Sequence, residues 1–183
     1  MIKKKSKLIL LVIYLGITPS ISSADSFNVN IIGEIFIPPC KINNDQPIDI
    51  SFGKVATHKV DGVNYAQIKS VNLTCDYYSG TPYVMISGDL AVGAHDNVLA
   101  IKGASANNMG IALYQGNGTG VPMNIGFGEG GFGQYGYEIT QGLSATGVAT
   151  STFTFTSVPF KYGSGELEAG FFNASASMVI TYI

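Results

Sequence analysis

From residue 25 onward no apolar pattern of period 3.6 is sustained over several turns, whereas apolar and polar residues alternate with a period of two in run after run. Side chains two apart share one face of a strand, so this pattern builds half-buried strands and gives a helix no stripe to bury. Gly, Asn, Asp and Pro punctuate the runs. Strands are expected over 27–37, 48–52, 68–75, 82–87, 110–114 and 150–160, with a terminal strand inside 171–183. Threonine, tyrosine and phenylalanine recur in them and suit a pleated, partly buried surface. Short strands at this spacing predict an all-β chain of two packed sheets.

The start of the chain is different. Lys3, Lys4, Lys5 and Lys7 precede an uncharged apolar run over 8–17, and a small, polar stretch ends at Ala24. This is the order of a secretory signal, and the run is too short for a permanent membrane anchor. Cleavage is expected after Ala24, giving a signal peptide over 1–24. The remaining ~159 residues make one ordinary domain. Of ten lysines six are left, against twelve carboxylates and no arginine, so the exported chain carries about −6. It has no electrostatic footprint for a phosphate backbone, and nucleic acid is excluded as a partner. Export also implies an oxidising compartment, in which Cys40 and Cys75 close a disulfide that contributes roughly 4 kcal/mol by loop entropy.

The residues offer little to catalysis. His58 and His95 are the only histidines, with no second ligand at a metal-binding spacing, no HExxH and no CxxC. Tyr162, Gly163, Ser164 and Gly165 have the wrong frame for a nucleophile elbow, and the carboxylates are scattered. The glycine-rich stretch 126–136 lacks the Lys-Ser/Thr ending of a phosphate loop and reads as a surface connection. Sequons at Asn72, Asn117 and Asn173 would matter only in a glycosylating pathway. No enzyme, catalytic residue, metal site or cofactor is expected.

What stands out is the two ends of the exported chain. Phe27, Val29, Ile31, Gly33, Ile35 and Ile37 form one alternate set, and Pro38 and Pro39 follow at once, imposing extended geometry and removing ladder donors. The segment is either the first strand of its own sandwich or an arm that projects. At the other end, after Gly170, the set Phe172, Ala174, Ala176, Met178, Ile180 and Tyr182 reaches almost to Ile183. A last strand of this kind is suited to pairing with another chain.

A cysteine soon after an apolar strand, a second 35 residues on, a glycine fourteenth from the C-terminus and a penultimate tyrosine resemble the pilus subunits of the Gram-negative chaperone-usher pathway. Within them, Ile35 to Asn44 followed by Asp49, Ile50, Ser51, Phe52 and Gly53 is similar to the minor tip adaptors of P-type pili, as are the stretches 110–116 and 151–160. The resemblance spans the exported chain. It implies an incomplete immunoglobulin-like β-sandwich lacking its last strand, with an N-terminal donor-strand extension over 25–39 and a pilin domain over 40–183. A periplasmic chaperone strand would fill the open groove, and the arm of the next subunit would replace it at the outer-membrane usher. Gly33 matches the small arm position of close approach, with Ile31, Ile35 and Ile37 as neighbouring knobs. Gly170, Met178, Ile180 and Tyr182 fall on the chaperone-pairing strand, and the Ile183 carboxylate would meet basic chaperone residues. The implied role is a structural minor subunit exported through the periplasm to the cell-surface fimbrium, touching neighbouring subunits and the tip adhesin. The alternatives are an adhesin that itself binds a host glycan or protein, and a hydrolase on a sandwich scaffold, for which no motif speaks.

Overall fold

The structure is a computed structural model that describes residues 26–128 and 135–183. The signal peptide expected over 1–24 and most of the glycine-rich stretch lie outside the described residues. The described part comprises a short unit, residues 26–34, and a body, residues 35–183.

The body is built of strands β1 (Lys41–Ile42), β2 (Gln67–Thr74), β3 (Pro82–Gly88), β4 (Val98–Ala100), β5 (Lys102–Gly103), β6 (Met109–Gln115), β7 (Val121–Pro122), β8 (Tyr137–Glu138), β9 (Thr150–Lys161), β10 (Phe172–Asn173) and β11 (Ala176–Tyr182). Two short 3-10 turns, Asn43–Asp45 and Thr57–Lys59, are the only helical elements among the described residues. One sheet runs β1-β2-β9-β6-β4 with β7 added to β6; a second runs β11-β3-β8; β10 and β5 form a ribbon. Every pairing is antiparallel. This is the all-β arrangement of packed sheets that the alternation predicts, left open as the family resemblance implies.

Between the sheets Leu73, Val84, Ile86, Met123, Phe153, Ile180 and Tyr182 are almost wholly buried. Each such side chain contributes roughly 1.5–3 kcal/mol relative to exposure. β9 shows how the pattern works: Ser151, Phe153 and Phe155 face the core, while Thr152 and Thr154 lie on the outer face. Further along, both faces of β9 are buried, because Ala91, Val98, Ala112 and Val158 form a second cluster on the far side of the same sheet. Gly110 makes this possible, since a Cβ there would collide with Val98 and the Leu99 carbonyl.

Cys40 and Cys75 form the disulfide, with Cα atoms 4.2 Å apart. A second tie is polar. Buried Gln115 on β6 donates from Nε2 to the Glu138 carbonyl and accepts at Oε1 from the Thr140 and Gln141 N–H groups. Its amide therefore fastens the segment after β8 to the first sheet, with both ends of the side chain satisfied.

Two expected strands are absent. Residues 27–37 and 48–52 belong to no strand, although 48–52 packs its apolar residues Ile48, Ile50 and Phe52 against the core. Apolar alternation places side chains, but a strand also needs a neighbour for its backbone, and neither segment has one. Strands β1, β4, β5, β7 and β8 were not anticipated, since two or three residues are too short to display a period.

Candidate functional site

A groove of about 1240 Å³ runs between two stretches of the body. One wall is the chain from Pro39 through Asp45 and Asp49 to Val55; the other is the chain from Gly170 to Val179. The floor is core: Ile86 from β3, Leu99 from β4, Ile111 and Leu113 from β6, Phe155 from β9, and Met123 just beyond β7. All six are nearly buried.

Backbone polarity along one wall is the decisive feature. The Cys40 N–H donates to the Ile180 carbonyl at 2.8 Å, so Ile180 turns its peptide groups away from β3, which pairs β11 on the other side. Strand residues two apart point the same way, so Met178 and Ala176 turn theirs outward too. No backbone partner among the described residues meets them there. An unpaired strand edge thus borders an apolar trough, lacking both a ladder partner and a row of side chains. The wall opposite is irregular chain and supplies no ladder.

The two ends of the groove differ. At one, the Cys40–Ile180 bond closes it; at the other, Phe52 and Phe172 from opposite walls bring their rings to 6.2 Å, tilted by 35°. The charged residues that line the groove are Asp45, Asp49 and Lys54, all exposed. A trough so lined takes an extended apolar segment and gives no purchase to a charged small molecule.

Of the residues singled out in the sequence, Gly170 and Met178 line the groove. Ile180 and Tyr182 lie deeper, with no exposed surface. Burial pushes the Tyr182 phenol above its ordinary value of 10.0, with the Gly147 backbone pulling the other way to a smaller extent. Among the described residues no hydrogen bond of full geometry reaches its hydroxyl, and the Gly147 backbone acts on it less than burial does. Ile183 is tied down: one of its terminal oxygens accepts from the Thr81 N–H at 2.7 Å and its N–H donates to the Thr81 carbonyl at 2.9 Å. Gly80 lies beneath it at φ +100°, where a Cβ would run into the Ile183 backbone. In the short unit, Ile31 is 91% exposed and Gly33 is exposed. At the start of the body Ile35 is exposed and Ile37 half-buried. Neither histidine is in the groove: His58 and His95 are exposed, and the His95 ring lies 5.9 Å from that of Phe160, tilted by 55°. Among the described residues no three His, Cys, Asp or Glu side chains are grouped as metal ligands.

The family model described as fimbrial protein matches residues 29–183. The chain belongs to the fimbrial protein family. The fimbrial adapter PapF of Escherichia coli is 40% identical over 163 residues, covering 89% of this chain and 92% of PapF. The minor fimbrial protein PrsF of Escherichia coli matches to the same extent. A solved structure of the P pilus adaptor subunit PapF superposes with a TM-score of 0.54 at 35% identity, over 82% of this chain and 100% of that one. The P pilus rod subunit PapA shares the fold, with a TM-score of 0.54 at 22% identity, over 80% and 100% of the two chains. This fimbrial protein is accordingly a structural minor subunit of a cell-surface pilus, of immunoglobulin-like fold. The likeness to adaptor and minor subunits sets aside the reading of the domain as a direct adhesin.

Sequence reasoning missed most of the groove. Its floor comes from five regions of the chain, and on the wall from Asp45 to Val55 the strand expected over 48–52 is irregular chain. Gly80 reads as an ordinary turn glycine between Ser79 and Thr81.

Proposed function

We propose that this fimbrial subunit is an adaptor near the fibre tip that joins its neighbours by strand exchange. The observation that carries the reading is the unpaired edge at Ala176 and Met178 beside an apolar floor. A periplasmic chaperone strand occupies that groove during export, and at the outer-membrane usher it gives way to the arm of the next subunit. The subunit's own extension, residues 25–39, serves its other neighbour, which includes the tip adhesin. There Ile31, Ile35 and Ile37 enter the partner's groove, and Gly33 lets the backbones approach. Burial of those three isoleucines contributes roughly 5–9 kcal/mol before ordering costs. Gly170, Met178, Ile180 and Tyr182 belong to the receiving side, and the Ile183 carboxylate is the anionic handle for the chaperone's basic residues. The role is structural, without catalysis, which is in keeping with relatives named as adapter and minor fimbrial proteins.

The test is the stability of the isolated exported chain. At high dilution, without chaperone or strand peptide, it is expected to lack a cooperative unfolding transition, and an arm-like peptide should restore one. A stable cooperative monomer with an empty groove would overturn the proposal. Replacing Gly33 with leucine should abolish donation by the arm while leaving reception of a strand intact.

A further inference from the structure

We propose that Asn117 is a masked deamidation site, held in its amide form by the hydroxyl of Thr156. Asn117-Gly118 is the one Asn-Gly dipeptide in the chain. Glycine after asparagine exposes a backbone nitrogen with no side chain to shield it, and the Asn117 side chain is exposed. The chemistry needs no cofactor. The Gly118 nitrogen loses its proton and bonds to Asn117 Cγ; the Cγ–N bond of the side-chain amide breaks, and ammonia leaves. Water then opens the cyclic imide at either carbonyl, giving aspartate or isoaspartate at 117.

The structure occupies the nucleophile. The Gly118 N–H donates to Thr156 Oγ1 at 2.9 Å, and that hydroxyl donates onward to the Gly116 carbonyl at 2.8 Å. Thr156 has no exposed surface, so water does not compete for these bonds. The Gly116 N–H is held by the Thr154 carbonyl at 2.9 Å, which pins the other side of Asn117 to the same strand. A nitrogen whose proton is engaged, in a backbone fixed at both flanks, neither ionises readily nor swings toward Cγ.

The chain's one Asp-Gly dipeptide, Asp61-Gly62, is guarded in the same manner by the same strand. The Gly62 N–H donates to the Pro159 carbonyl at 3.2 Å. The Asp61 carboxylate is itself engaged by the Val63 and Asn64 N–H groups. Residues of β9 thus hold both nitrogens capable of imide formation at an Asx-Gly step. This second turn serves as an internal control, because it does not use Thr156.

The experiment is incubation at mildly alkaline pH with peptide mapping for acid at 117, on the chain folded with an arm-like strand peptide in its groove and on the same chain in urea. The folded chain should convert far more slowly than the chain in urea. Thr156→Val should raise conversion about tenfold, the scale of one lost hydrogen bond, and Thr156→Ser should restore the slow rate. Asp61 should be unaffected in a Thr156→Val chain that remains folded by near-ultraviolet circular dichroism. Equal rates with and without urea would overturn the proposal. So would a folded Thr156→Val chain as slow as the parent, or a parallel rise of isoaspartate at 61, which would trace the change to general loosening. If Thr156→Val does not fold, Thr156→Ala read in the same way decides between these outcomes.

Discussion

Phe52 and Phe172 meet across the groove, ring centroids 6.2 Å apart, each contributed by a different wall. An incoming strand has to displace this contact or stop short of it. An aromatic pair is worth about 0.5–1.5 kcal/mol beyond its area, so Phe172→Ala should speed capture of an arm peptide by roughly threefold to tenfold. Stopped-flow anisotropy with a labelled peptide reads the rate. An unchanged rate would make the pair a wall rather than a latch.

Gly80 carries the last residue of the chain. Gly80→Ala would place a side chain where the Ile183 backbone lies, in a left-handed conformation that costs a non-glycine residue about 1–3 kcal/mol. The expected result is a displaced terminus: faster hydrogen exchange at the Thr81 and Ile183 amides, and weaker capture by a chaperone that reads the carboxylate. Intact exchange protection in the variant would contradict this.

Gln115→Leu keeps much of the side chain's volume but removes its amide. It leaves the Thr140 and Gln141 N–H groups and the Glu138 carbonyl without their partner. Each buried orphan costs about 1–3 kcal/mol; solvent reaches part of this segment, so a total near 3 kcal/mol is expected. Denaturant titration of the strand-complemented subunit measures it.

Tyr182→Phe should do the opposite of most core changes. The hydroxyl is buried with no hydrogen bond of full geometry among the described residues, so its loss should cost no more than about 1 kcal/mol at neutral pH and is able to stabilise. The pH dependence has a definite sign. The folded phenol titrates above 10.0 and the unfolded one near it, so its contribution is complete below pH 10 and declines as pH rises toward the folded value. The difference in stability between wild type and Tyr182→Phe should therefore shift in the variant's favour above pH 10.

The fold class was legible because strict alternation survives in the long strands. Thr150 to Phe155 alternates in sequence and in burial alike, and the terminal set through Tyr182 faces the core from Met178 onward. Chemistry and compartment sufficed to pair Cys40 with Cys75. The groove was legible only as an implication of resemblance. Its edge depends on what does not pair with Met178, and a one-dimensional pattern records side chains rather than unmet backbone groups. Its far end depends on Phe52 finding Phe172 about 120 residues later, a separation at which no local period operates. The segment 27–37 illustrates the converse, with a strand's pattern and no strand, because no backbone among the described residues pairs with it.

Cys40 is bonded covalently to β2's end through Cys75 and by hydrogen bond to β11 through Ile180. It is also the first residue after the two prolines that end the extension proposed as a donor arm. In a fibre pulled from its tip, tension entering along the arm would reach both sheets at this single residue. The force would load the disulfide and the receiving strand together, instead of peeling the sandwich open one ladder bond at a time. A subunit wired in this way would be expected to yield by losing its neighbour's strand before its own sheets part.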